Sequence, residues 1–581
     1  MNQLRALSFA IVAATILLSF GCQMEPSPDP AALATEVDRL ADLYLERQME
    51  HMPERGYIMG VPPERHDGLF DNSVMAYERA RREEDEMIAE LDLVPADALT
   101  DTPQWVTAGL LREALEASRG LRVCRRELWN VNHFEGWQAY YPTLAEMQPV
   151  GTPELREQAL ARWRKLPTLI DNEVANLRRG LEAGYTANRA VTARVIVQID
   201  RLLAVPVEES PFMSPALRDE TPEFVEEFRT LVALEIVPAA KRYRDFLNDT
   251  YLDQARESLA VADNPNGHAC YAAMLRFHTT LDRTAEEVFE LGSRTVQRNR
   301  QEVIELGRER YGTDDFAEIV RRAQADPSDT FVDRDEVFSF ARDAVERSMT
   351  VLDGWFGLKP EHECIVKPHP EYQEGTGIGP RYEVGDGERP GIYRITLSNP
   401  EAQSKGRSEV VAFHEAYPGH HLQLTVAQEL EGLHPMSQVA WYTSYGEGWA
   451  RYAEALAEEA DLYSSPVALI LRRAWPARGM VVDPGIHVMG WSREQAREFM
   501  IVSGSVPEEE ADDMVDRIAI WPGQLTAYDS GGLEIFALRR KAEEAFGEDF
   551  DIREFHDRVL ENGAVPLWML RRHVEAWIES R

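Results

Sequence analysis

The run Ser408-Glu409-Val410-Val411-Ala412-Phe413-His414-Glu415-Ala416-Tyr417-Pro418-Gly419-His420-His421 sets three imidazoles beside the Glu415 carboxylate on an otherwise apolar stretch. His followed by Glu opens the HExxH pattern, in which imidazoles one helical turn apart hold zinc and the Glu faces the attacking water. The residue four places after His414 is Pro418, so the simple pattern is absent. At about 100° per residue, His420 lies about 600° from His414, on another face; His421 lies about 700° away, on the same face. Seven residues of unbroken helix rise about 10.5 Å, too far for two ligands that each bond zinc at about 2.0–2.1 Å. Pro418-Gly419 re-aims the chain, because proline disfavours helix at Tyr417 and glycine adopts whatever dihedrals the break needs. A broken helix swings His420 or His421 back beside His414, and the spacing alone leaves both open.

Zinc needs a third protein ligand. Glu447 follows His420 by 27 residues, inside Tyr445-Gly446-Glu447-Gly448-Trp449-Ala450-Arg451-Tyr452-Ala453-Glu454, which opens an amphipathic helix. A Glu on a second helix completes a His2Glu set, and two flanking glycines permit close approach; Glu454 is the alternative ligand. One zinc with an open fourth position would lower the pKa of water toward about 7 and polarise a carbonyl. Manganese or cobalt would fit the same donors in vitro. Glu415 is the candidate general base, carrying a proton from water to a leaving amine. A site that only held structural zinc would have no use for that base.

These residues carry a resemblance. HEAYPGHHLQ followed by YGEGWARYAEAL resembles the bacterial "domain of unknown function 885" family, zinc metallopeptidases of gluzincin type. The likeness extends to Val481-Val482-Asp483-Pro484-Gly485-Ile486-His487 with Gly490-Trp491-Ser492-Arg493-Glu494-Gln495-Ala496, and to Trp521-Pro522-Gly523-Gln524-Leu525-Thr526-Ala527-Tyr528. It continues through Phe550-Asp551 to Phe555-His556 and Gly563-Ala564-Val565-Pro566-Leu567, with looser matches at Gly267, Tyr271 and Thr279-Thr280. It covers roughly residues 35–575 and is most specific over 380–570. One departure is Leu525, where the family has alanine. The resemblance implies a helical fold distantly similar to thimet oligopeptidase-like enzymes. It favours His420, the histidine directly after Pro-Gly, as the second ligand beside His414 and Glu447. Gluzincins commonly place a His or Tyr against the oxyanion, which makes His487 and Tyr528 the catalytic candidates besides Glu415.

The elements that must position these groups are mostly helices. Leu40, Leu43, Tyr44 and Met49, then Leu110, Leu111, Leu115 and Leu121, repeat at helical intervals, as do apolar residues over 224–247 and 285–306. Breaks fall at Gly151, Pro211 and Asn264-Pro265-Asn266-Gly267. No fixed-period repeat is present, which excludes a solenoid. Composition changes near Cys364: residues 365–400 are rich in Gly and Pro, and Gly391–Leu397 is rich in β-branched and aromatic residues, so it reads as a strand. Helices are predicted over 408–417, 420–430, 445–460, 492–502 and 533–546, with Ser492 and Gln495 as a capping pair. The expected fold is therefore mainly α, a helical metallopeptidase-like fold with a small β-sheet next to the active-site helix. A helical region over 35–360 would wall a cleft, and 361–581 would hold the metal. The Gly391–Leu397 strand would pair with an extended substrate backbone. Arg451, Arg473 or Arg478 would hold a substrate carboxylate. His421 and His556 read as packing residues, and Trp129, Trp137, Trp441 and Trp449 as core.

The N-terminus carries an export pattern. Arg5 precedes an apolar run from Leu7 to Leu18, and Ser19-Phe20-Gly21-Cys22 ends it, so residues 1–22 read as a signal peptide with a lipobox-like cysteine. Gln23 in place of Asp removes an inner-membrane retention signal, which points to an outer-membrane lipoprotein on the periplasmic side. Pro26-Ser27-Pro28-Asp29-Pro30 suits a tether over 23–34. Cys124, Cys270 and Cys364 show no CxxC spacing and read as buried free thiols, with one bridge as the alternative.

The chain of 581 residues has 62 basic and 100 acidic side chains, a net charge of −38, which argues against nucleic acid and against anionic lipid as partners beyond an N-terminal lipid anchor. With 44% apolar residues it can bury a large core. The expected activity is a zinc-dependent peptidase acting on short peptides. The alternatives are a zinc hydrolase of a non-peptide amide, such as a cell-wall fragment, and a non-catalytic binding lipoprotein.

Overall fold

The computed structural model describes residues 29–581 apart from 59–61, 96–97, 101, 372–373, 375–378, 386–388, 466 and 505. The predicted signal segment, Cys22 and the first part of the tether lie outside the described residues. Asp29 caps helix α1 (Pro30–His51), accepting from the Ala31 amide at 3.1 Å. Pro30 takes the first helical position, where a missing N–H costs nothing, so residues 30–34 are helix rather than tether. Along α1, Val37, Leu40 and Ala41 are buried in the same core as Leu110, Leu111 and Leu115 of α2 (Pro103–Leu121).

The fold is mainly α. The helices that frame the site are α3 (Gly267–Thr279), α4 (Ala285–Tyr311), α5 (Lys405–Glu415), α6 (His420–Glu429), α7 (Thr443–Glu459), α8 (Arg478–His487), α9 (Ala527–Phe546) and α10 (Leu567–Glu579). Predicted boundaries hold to within a few residues, except that α9 begins six residues early, directly after the Pro-Gly turn. Over 222–246 the predicted single helix is interrupted by a π segment, Val232–Ile236. Ser492 and Gln495 cap each other as expected, at 2.8 and 3.2 Å.

Three strands form one sheet: β1 (Cys364–Pro368), β2 (Arg381–Glu383) and β3 (Gly391–Ile395), in the order β1-β3-β2. β3 runs parallel to β1 and antiparallel to β2. Gly391, Tyr393 and Ile395 turn inward while Ile392 and Arg394 stay half-exposed, the period-two pattern of a strand with one face on a core. The predicted strand is therefore the central one. Both its edges are paired, so it cannot take up a substrate backbone; that expectation passes to the edge strand β2.

The largest apolar core joins α1 and α2 to β3, α5, α6, α7, α9 and α10. A second core lies wholly within residues 69–255. Packing therefore does not divide at residue 360: the first helices share a core with the last. Cys124 and Cys270 are bonded to each other, with Cα atoms 4.6 Å apart. That corrects the free-thiol expectation for this pair; a separation of 146 residues hides such a pairing from sequence. Cys364 is a buried free thiol.

Candidate metal centre

Helix α5 is pinned from its buried side. Glu409 is fully buried and accepts from Arg347 Nη2 at 2.6 Å and from the Ser464 and Ser465 amides at 3.0 Å. Asp329 accepts from the Gly406 amide at 2.9 Å, and Ser404 caps the helix through the Arg407 amide at 3.0 Å. These contacts fix the rotation of α5 about its axis, and hence where His414 points.

The break after Glu415 then does what the sequence required. The Tyr417–Pro418 peptide is cis. Trp449 Nε1 of α7 donates to the Pro418 carbonyl at 2.9 Å, tying the turn to the helix that carries Glu447. A Cβ at Gly419 would lie 1.9 Å from the His414 carbonyl oxygen, so only glycine lets α6 start this close to the end of α5. On the other side α7 and α9 touch backbone to backbone: a Cβ on Gly448 would fall 2.6 Å from Gly531. This contact draws Glu447 in toward the histidines.

Three ligand atoms meet as a result. Glu447 Oε2 lies 3.4 Å from His414 Nε2 and 3.6 Å from His420 Nε2, and one donor atom from each residue lies within 4.8 Å of the others. Ligands bonded to one tetrahedral cation at about 2.0–2.1 Å stand about 3.3–3.4 Å apart, so the two His–Glu separations fit a single small cation. The electrostatics agree. Burial alone would lower the His414 pKa, but hydrogen bonding to Glu447 and Glu454 raises it to about 10. Burial would raise Glu447, yet the two imidazoles hold its carboxyl well below the usual range. The pocket favours positive charge, the condition for holding a cation.

The surrounding shell is ordered by the same elements. His414 Nδ1 donates to Glu454 Oε1 at 2.9 Å, and Arg451 Nη1 donates to the same carboxylate at 2.9 and 3.2 Å. Glu454 thus orients His414 with its Nε2 turned toward Glu447, the usual arrangement behind a metal-binding imidazole, and it is not itself in the candidate ligand set. Glu415 projects into the adjoining cleft, where its Oε2 accepts from the Tyr382 amide of β2 at 2.9 Å. Two cavities of about 320 and 370 Å³ open on the cluster, and both are lined by His414 and Glu415. Tyr528 and Trp441 line the first. Burial raises the Tyr528 pKa and keeps its hydroxyl protonated, so it can donate into the cavity.

Residues 53–574 match the family model described as "Bacterial protein of unknown function (DUF885)". The chain belongs to the DUF885 family. Two solved structures, each of a "putative lipoprotein", share the fold. The one from Colwellia psychrerythraea has a TM-score of 0.83 at 22% identity, covering 95% of this chain and 99% of that one. The one from Shewanella oneidensis, of unknown function, has a TM-score of 0.77 at 18% identity, covering 92% and 99%. No curated protein matches the chain.

Other residues singled out in this DUF885 chain lie elsewhere. His487 is fully buried beneath Tyr271, its Nδ1 accepting from the Val261 amide and its Nε2 donating to the Ile518 carbonyl, each at 3.0 Å. Burial lowers its pKa to about 3. It is a neutral structural imidazole with no face on either cavity, which corrects its assignment as a catalytic group. His421 is likewise buried, bonded to Tyr382 Oη and Tyr417 Oη at 2.9 Å, so of the two adjacent histidines it is His420 that faces His414. His556 binds Tyr452 Oη and the Trp355 carbonyl as a packing residue. Arg473 is committed to Glu302 and Glu458, and Arg478 to backbone carbonyls including that of Pro476. Arg451 serves Glu454. None of the three arginines is free to hold a substrate. Trp441 is 47% exposed in the cavity, against its reading as core. Sequence reasoning missed β2, whose three residues are too few to show a period.

Proposed function

We propose that this protein is a zinc-dependent peptidase that hydrolyses short peptides outside the cytoplasm. The observation that carries this reading is the convergence of His414 Nε2, His420 Nε2 and Glu447 Oε2 beside the carboxylate of Glu415 in an open cleft. A divalent cation held by those three atoms would supply Lewis acidity, polarising a carbonyl and acidifying water. The outer edge of β2, where the Tyr382 amide donates to Glu415, borders the centre, so an extended peptide lying along it would present its carbonyl there. Glu415 takes the proton of the attacking water as the new C–O bond forms. It then delivers that proton to the amide nitrogen as the C–N bond breaks, which leaves a carboxylic acid and an amine. Tyr528 donates its hydroxyl hydrogen bond to the oxygen that gains charge.

Placement outside the cytoplasm is supported by the signal-like N-terminus with Cys22, by the Cys124–Cys270 bridge, which persists in oxidising compartments, and by the lipoprotein description of both structural relatives. No helix among the described residues is long and apolar enough to cross a membrane. The test pairs metal analysis with a peptide-library digest read by mass spectrometry. Glu415→Gln should retain one zinc per chain and lose about 10²–10⁴-fold in hydrolysis. Unchanged turnover in that variant would remove Glu415 from the mechanism.

A further inference from the structure

The cavity of about 370 Å³ extends from the candidate metal cluster to Arg407 near the start of α5, a cation with no carboxylate partner among the described residues. Arg407, Val410, Val411 and His414 all line it. Those positions, i, i+3, i+4 and i+7, form a single stripe along one face of a helix. Arg407 stands seven residues before His414, which places it about 10.5 Å along the axis and about 20° away in rotation. Between them on α5 are two valines, and Leu471, Trp475, Val506 and Met514 line the same cavity beside the polar Gln324, Arg451, Glu454, Arg472 and Glu510. The result is a groove of mixed apolar and charged lining that the candidate centre and the Arg407 guanidinium share.

Arg407 breaks two local rules. It sits in the first turn of α5, where the helix dipole disfavours a cation. Lys405, in the same turn, is answered by Glu336 at 2.7 Å, and the other two arginines of the cavity, Arg451 and Arg472, are paired with Glu454 and Glu458. Arg407 is exposed, and among the described residues no carboxylate pairs with it, although the chain carries 100 acidic side chains. Glu510, which also lines the cavity, lies in the first turn of the Glu508–Ile520 helix, where a carboxylate is already stabilised. An unanswered cation placed against local preference at the end of a substrate-sized groove marks a site for an anion.

We infer that this groove is the subsite for the carboxyl end of the substrate, with Arg407 binding a carboxylate about three residues beyond the scissile bond. This rests on the peptidase reading above. An extended chain covers about 3.3–3.6 Å per residue, so the rise of about 10.5 Å between Arg407 and His414 along α5 matches about three. A guanidinium binds a carboxylate through two parallel N–H bonds. The enzyme is then a carboxy-terminal exopeptidase that releases short fragments instead of single residues. A side-chain carboxylate at the same distance offers the same chemistry.

The experiment uses zinc-loaded full chain and a decapeptide library made once with free C-terminal acids and once as C-terminal amides, with products identified by mass spectrometry. The acids should be cut at least about fivefold faster than the amides, releasing C-terminal fragments of about three residues. Arg407→Gln should bring the acid-to-amide ratio close to one, Arg407→Lys should restore part of it, and Arg407→Glu should invert it. If amides with Asp or Glu three residues past the cut are cleaved as fast as the acids, and this also depends on Arg407, the subsite stands and its ligand is the side chain. An acid-to-amide ratio unchanged in Arg407→Gln and Arg407→Glu overturns the assignment while leaving the peptidase reading intact. A wild-type protein that cuts neither library refutes the peptidase reading. The subsite is then decided by retention of the acid and amide libraries on immobilised Glu415→Gln protein with and without Arg407→Gln; equal retention of both libraries overturns it.

Discussion

Glu454→Gln tests whether the centre is built as described, because it changes one charge and almost no volume. Glu454 does not reach the ligand set; it accepts from His414 Nδ1 at 2.9 Å and balances the Arg451 guanidinium, whose next carboxylate, Asp529, is 3.9 Å away. Losing the outer partner of a metal-binding histidine typically weakens metal binding about 10–100-fold, or about 1.4–2.7 kcal/mol. The upper end is expected here, since Glu454→Gln also leaves Arg451 with unbalanced positive charge beside the cation. Breaking the buried pair should cost the metal-free fold about 3–5 kcal/mol as well. The assay must therefore separate affinity from stability: zinc competition against a chromophoric chelator on folded protein gives the first, and urea unfolding in EDTA the second. Glu447→Gln, which removes a ligand atom, sets the scale and should lose more affinity than Glu454→Gln. Zinc affinity unchanged in Glu454→Gln but reduced in Glu447→Gln would refute the orienting role. Unchanged affinity in both would refute the centre.

Two further outcomes follow from the buried titratable groups. His487→Ala leaves the Val261 amide and the Ile518 carbonyl without partners, so urea unfolding should show a loss of about 3–5 kcal/mol while zinc affinity and turnover stay at wild-type values; full stability with lost turnover would restore His487 to the chemistry. Burial pushes the Glu173 carboxyl up to about 7, with hydrogen bonds from Asn72 and Asn130 only partly opposing it. The folded state then holds a proton that the unfolded state releases above pH 4.5, so its contribution is complete below about pH 4.5 and lost as pH rises through about 7. Glu173→Gln, which stays neutral, should gain roughly 3 kcal/mol relative to wild type between pH 4.5 and pH 8 in paired urea titrations; a pH-independent difference would show that Glu173 is ionised in the fold.

How much was legible in the sequence depends on how local each signal is. Helical periodicity, the Gly391–Ile395 strand and the Ser492–Gln495 cap are set by neighbours within a few residues, and they appear where the pattern puts them. The Pro418-Gly419 break could be read as a demand for a turn, since two imidazoles seven residues apart on straight helix cannot share an ion. The roles of Glu454 and Tyr382 were not legible, because each depends on a contact across at least 33 positions of chain. His487 was misassigned for the same reason: a histidine beside Trp491 looks alike in sequence whether its nitrogens face a cleft or two backbone groups.

The amino-acid sequence by itself determined the mainly α class, the donor types of the candidate centre, two histidines and a glutamate, and the need for glycine where chains approach closely, because residue chemistry and short-range geometry act within a single element. Tertiary structure alone decided which histidine of the adjacent pair faces the centre, which strand edge borders Glu415, which cysteines pair, and that Arg407, without a carboxylate partner among the described residues, lines the same cavity as His414. The histidine, the strand edge and the place of Arg407 depend on the rotation of α5, fixed by Glu409 and Asp329, and on the backbone contact of α7 with α9 at Gly448 and Gly531, whereas the cysteine pair depends on α3 packing against residues 122–124; in each case segments distant along the chain meet and only packing sets the register.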